Sequence, residues 1–75
     1  MNKKRRASIS EALFLIDNAL KIVSRVNMDE CNSLENIPDN LQSSDIYTES
    51  ESAVESLSSA EEYLSDAKRE LEDIV

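Results

Sequence analysis

Apolar residues recur at Ile9, Ala12, Leu13, Ile16, Ala19, Leu20, Val23 and Val26. Steps of three and four are the period of a helix that buries one stripe. Ser8-Ile9-Ser10-Glu11 has the form of a capping box, in which a serine and a glutamate satisfy the first free N–H groups reciprocally. The pattern predicts helix 1 over about residues 8–35, although Lys3–Ala7 holds nothing against an earlier start. The signal weakens from Asn27 to Ser33 and resumes at Leu34. Pro38 disfavours α geometry at Ile37 and so ends the helix near Glu35 or Asn36.

Residues 36–44 are the one turn-rich stretch. Ile37 and Leu41 are expected to cover the end of a core, and Asp39 to cap a short turn. Ser43, Ser44 and Thr48 are alternative caps for the next helix. Helix 2 is predicted over about residues 45–74, in two heptad columns. One runs Ser50, Leu57, Leu64, Leu71, and the other Ile46, Ala53, Ala60, Ala67, Ile74. An a/d pattern held over four repeats is a coiled-coil signature. Helix 1 repeats it at Ile9, Ile16, Val23 and at Ala12, Ala19, Val26.

Two helices of similar length with a nine-residue connection imply an antiparallel hairpin, an all-α fold in one domain spanning 1–75. The basic residues Lys3, Lys4, Arg5 and Arg6 are then expected near Glu70, Glu72 and Asp73. More is apolar than one seam can hold. In Leu13-Phe14-Leu15-Ile16, four consecutive side chains point almost all the way round a helix. Phe14, Leu15 and Ile22 lie off the helix 1 seam, and Tyr47, Val54 and Tyr63 flank that of helix 2. A sister hairpin is expected to cover these six, completing a four-helix homodimer; a different protein target, or the loop or N-terminal arm, is the alternative.

Composition narrows the chemistry. The chain has no glycine and no histidine, and one cysteine, Cys31. A phosphate-cradling loop needs the first, and a zinc site or Ser-His or Cys-His pair needs the others. No enzyme activity, metal or cofactor is therefore expected, and the acids lack calcium-loop spacing. Cys31 is read as a small filler near the loop end, with Asp29 and Glu30 beside it arguing against a reactive thiol. A lone free cysteine and no apparent signal peptide or membrane span suggest a cytoplasmic protein.

Charge is uneven. Residues 1–36 carry six bases and five acids, whereas residues 37–75 carry two bases and eleven acids. Glu51, Glu55, Glu62, Asp66 and Asp73 follow steps of four and seven. They form a stripe about 33 Å long at 1.5 Å per residue. Such a stripe on a chain of net charge −8 can imitate a phosphate backbone and occupy a basic groove. The basic arm Lys3–Arg6 offers phosphate contacts, but the net charge disfavours direct nucleic-acid binding. Arg5-Arg6-Ala7-Ser8-Ile9 fits a basophilic kinase pattern, read here as coincidence beside the capping role of Ser8.

The loop from Asn36 to Gln42, followed by alanine and leucine in heptads, resembles that of short helical-hairpin proteins of phages and clostridia-like Gram-positive bacteria. That resemblance covers nearly the whole chain and implies a bacterial setting and a fold, with no activity attached. A weaker, architectural likeness is to Rop, an RNA-binding hairpin that dimerises into a four-helix bundle. Lys3, Phe14, Asn18, Lys21 and Arg25 are the residues that carry it. The expectation is a non-catalytic protein-binding module, a small acidic inhibitor of a host nucleic-acid-processing or defence protein. A Rop-like RNA binder and a purely structural hairpin are the alternatives.

Overall fold

A computed structural model describes residues 1–75 as two long helices joined by a short loop. Helix α1 spans Lys3–Glu35, a single 3₁₀ turn spans Asp39–Leu41, and helix α2 spans Asp45–Glu72. The helices pack along each other in a rod of 59 × 14 × 14 Å. No helix is long and apolar enough to cross a membrane.

The ends of the elements follow local hydrogen bonding. Helix α1 starts at Lys3, five residues before the expected start at Ser8. The cap is Asn2, whose side-chain oxygen accepts from the Arg5 N–H at 2.8 Å. With the helix already begun, Ser8 donates its hydroxyl back to the Lys4 carbonyl at 3.3 Å, the usual recourse of a mid-helix serine. Of the three alternatives for α2 the cap is Ser44, whose Oγ accepts from the Tyr47 N–H at 3.3 Å. The same hydroxyl donates to the Leu41 carbonyl at 2.6 Å and so ties the loop to the helix. Asp39 opens the 3₁₀ turn, and its carboxylate accepts from the Gln42 amide at 3.1 Å. Helix α2 ends at Glu72, two residues short of the expected Ile74.

The seam differs from the one the heptads suggested. On α1 the half-buried positions include Ile9, Leu13, Ile16, Leu20, Val23, Asn27, Glu30 and Leu34. On α2 the corresponding series is Tyr47, Ser50, Val54, Leu57, Glu61, Leu64, Lys68 and Leu71, half-buried except for the buried Ser50. Each series alternates steps of three and four, the spacing of knobs that fit into holes. The columns Ile9–Ile16–Val23 and Ser50–Leu57–Leu64–Leu71 are central, as expected. Beside them lie Leu13–Leu20–Asn27–Leu34 and Tyr47–Val54–Glu61–Lys68; the alanine columns flank this seam, with Ala12, Ala19, Ala53 and Ala60 half-buried but Ile46 72% and Val26 43% exposed. Bulk explains the choice. Leu13, Leu20 and Leu34 bury far more apolar surface than Ala12, Ala19 and Val26, and burial is worth about 25 cal/mol per Å². Tyr47 and Val54, expected on an outer surface, therefore lie inside the hairpin.

The seam is thin. Ser50 is the one buried residue of the chain, and no apolar residue is fully buried. Truncation in the seam should cost less than in a closed core. Leu57→Ala is expected to destabilise by about 2 kcal/mol, the lower end for a leucine. Ile46→Ala, on the abandoned column, should stay within about 0.5 kcal/mol in the isolated hairpin. Equilibrium urea unfolding of the two variants checks the assignment, and equal costs would contradict it.

Candidate binding surfaces

Polar residues punctuate the seam and fix its register. The Lys68 ammonium pairs with the Asp17 carboxylate at 2.8 Å. The Asn27 amide donates to Ser58 Oγ at 3.2 Å and to Glu61 Oε1 at 3.0 Å. Ser50 donates to Glu30 Oε1 at 2.7 Å. The Cys31 thiol donates to Asn27 Oδ1 at 3.8 Å. Cys31, half-buried, thereby touches the edge of this polar cluster. No buried side-chain polar atom lacks a partner. The weak signal from Asn27 to Ser33 was the trace of this cluster in the sequence.

These contacts also identify the two broad sides of the hairpin. Asp17 lies one column beyond Leu13–Leu20–Asn27, and Ser58 one column beyond Val54–Glu61–Lys68. Both reach across the same flank. In an antiparallel pair the remaining flanking columns then meet on the other side. Those columns are Ala12–Ala19–Val26 and Ile46–Ala53–Ala60–Ala67–Ile74. Leu15 and Ile22 extend that side on α1, and Tyr63 extends it on α2. Leu15 is 58% exposed, Ile22 52% and Tyr63 71%. Phe14, 65% exposed, is separated from them. It sits about 100° round the helix from Leu15, in the column of Lys21 and Met28. The six expected interface residues therefore divide three ways. Leu15, Ile22 and Tyr63 share one broad side, Phe14 faces elsewhere, and Tyr47 and Val54 belong to the seam.

The acidic stripe is where the spacing put it. Glu51, Glu55, Glu62, Asp66 and Asp73 are all exposed. One base enters it: Arg69 lies 3.5 Å from Asp66. Beside the stripe a shallow cleft of about 440 Å³ runs between Glu55, Ser56, Ser59, Ala60 and Tyr63. A second, of about 520 Å³, lies along α1 between Leu20, Lys21, Ser24, Arg25 and Met28, with Glu61 at its edge. Both are open troughs rather than enclosed sites.

The basic arm is not where the hairpin argument put it. With Lys68 opposite Asp17, Glu72 is level with about Leu13, four residues along each helix. Lys3–Arg6 therefore project roughly two turns past the end of α2. None of them pairs with Glu70, Glu72 or Asp73; the ion pairs present are Lys68–Asp17 and Arg69–Asp66. Residues 1–8 are exposed throughout.

No family model, no curated protein and no solved structure matches this chain.

The Asp17 carboxylate raises the Lys68 pKa above its ordinary 10.5, first by its hydrogen bond and then by its charge, with Glu72 adding a little. Burial opposes the shift, by more than Glu72 adds to it. A pKa raised on folding contributes stability that is complete below the unfolded value and is lost as pH rises through the folded one. Here that window opens above about pH 10.5. Between pH 9 and 12 the wild type should lose more stability than Lys68→Met does. Thermal melts across that range test the sign. Parallel losses would show that the pair adds nothing in water.

Proposed function

We propose that the chain is a non-catalytic protein-binding module whose outer acidic face engages a basic surface of another protein. The observation that carries this reading is charge segregation. Between Arg25 and Lys68 the chain holds eleven acids and no base. Five of the chain's acids lie on one exposed face of a straight helix. A rigid rod holds such charges in register, so their field adds along about 33 Å. That steers encounter with a positive groove and raises the association rate. The length and sign suit a groove that otherwise holds a nucleic-acid backbone. A nucleic-acid-processing or defence protein of a bacterial host is the partner class this favours, and the resemblance to phage proteins points to the same setting.

Rop-like RNA binding is the second reading. Phe14, Asn18, Lys21 and Arg25 are exposed on one face of α1, an aromatic side chain among two bases and an amide. Net charge −8 repels the RNA backbone and ranks it lower. A mobility shift with RNA hairpins at low salt would reverse that ranking.

Affinity capture on the immobilised chain tests the first reading. A target that occupies the stripe should be released by duplex DNA and by salt. The variant with Glu51→Gln, Glu55→Gln, Glu62→Gln, Asp66→Asn and Asp73→Asn should bind it roughly thirtyfold more weakly, at about 0.4 kcal/mol per exposed charge. A target held equally well by the neutralised chain would refute stripe recognition.

A further inference from the structure

The strongest unexplained feature is the broad apolar side opposite the polar contacts. It carries Leu15, Ala19 and Ile22 on α1 beside Ala60, Tyr63 and Ala67 on α2. Leucine, isoleucine and tyrosine there are more than half exposed. The acidic stripe lies on the outer face of α2 and adjoins this side only where Glu55 borders the cleft with Ala60 and Tyr63. We infer that a second copy of this chain covers it, and that the two hairpins stack with their loops at opposite ends.

Three observations point to a second copy. The first is size. A face of 59 by 14 Å offers roughly 800 Å², about what each partner contributes to a standard stable interface. The second is need. A hairpin with no fully buried apolar residue is the kind of small chain that gains its core by oligomerising. Stacking two apolar sides makes a four-helix bundle whose core includes the alanine columns, and small residues there let the layers approach closely.

The third observation sets the orientation. Six of the eight bases, Lys3–Arg6 with Lys68 and Arg69, lie towards the open end of the rod, and Lys21 and Arg25 lie along its middle. The loop end carries Asp39, Asp45 and Glu49 with no base near them in sequence. Each hairpin is therefore positive at the projecting arm and negative at the loop. Stacking with loops together would set Lys3–Arg6 against the same arm of the partner, and acids against acids. Stacking with loops opposed lays each arm beside the partner's loop end. Opposite charges then meet at both ends, in keeping with a two-fold axis.

The test combines solution mass with a distance. Light scattering over a range of concentrations should give a dimer. Ala19→Glu with Ala60→Glu should shift it to monomer. A nitroxide on Ser43→Cys, in a Cys31→Ser background, marks the loop tip. Opposed loops place the two labels about 50–60 Å apart on a rod of 59 Å, and loops together place them within about 25 Å. Replacing Lys3, Lys4, Arg5 and Arg6 by glutamine should weaken the dimer at least tenfold at low salt, by removing the attraction at both ends. A short distance overturns the orientation. A monomeric mass for the wild type overturns the whole inference and leaves stripe recognition standing, because that is read by capture and DNA release.

Discussion

The pairing of α1 with α2 along one seam is the constraint from which the other surfaces follow. Each helix carries three adjacent columns with apolar residues and can give only two of them to its neighbour. In α1 the leucine column of Leu13, Leu20 and Leu34 outweighs the column of Ala12, Ala19 and Val26. Antiparallel geometry then leaves α2 no free choice. Once α1 turns its leucines inward, α2 must present Tyr47, Val54, Glu61 and Lys68 beside them. The alanine columns of both helices are left together on the opposite side. One decision about bulk thus produces both the polar seam and the exposed apolar side.

The polar members of that seam carry specificity more than stability. Asp17–Lys68 is a partly exposed pair, the class worth least in water. Asn27 with Ser58 and Glu61, and Ser50 with Glu30, are half-exposed hydrogen bonds that exchange for water on unfolding. Their effect is positional. A slip of one heptad would leave the leucines roughly in place but would part Lys68 from Asp17 and Asn27 from Glu61. Apolar columns that repeat every seven residues permit several registers, and unequal polar pairs select one of them.

Much of the fold was legible in the chain. Helical period, the Pro38 break and a nine-residue connection led directly to a hairpin. The acidic stripe needed only spacing. The seam was misread because the column Ile46–Ala53–Ala60–Ala67–Ile74 is unbroken, whereas the true column is interrupted by Glu61 and Lys68. Periodicity alone rewards the unbroken column. Burial rewards size, and the stems of lysine and glutamate add apolar cover while their charged ends reach the flank. The start of α1 was misplaced for a related reason. A capping box at Ser8 satisfied every local rule, but Asn2 offers an equivalent cap six residues earlier, and nothing in Lys3–Ala7 resists helix. Local rules rank starts poorly when each is good.

Register then reaches the ends of the molecule. Because Lys68 sits opposite Asp17, α2 stops about ten residues short of the first residue of α1. The basic turns have no helix beside them, and the intramolecular charge pairing that an even hairpin would provide is lost. At the far end, the loop gathers carboxylates with no cation to meet them. Side chains chosen for the middle of the seam thereby separate charge along the whole rod. A molecule polarised in this way, with one apolar side, has a stronger preference for how a like molecule approaches than the apolar side alone could give. Hydrophobic burial is indifferent to direction along the rod, and the end charges are not.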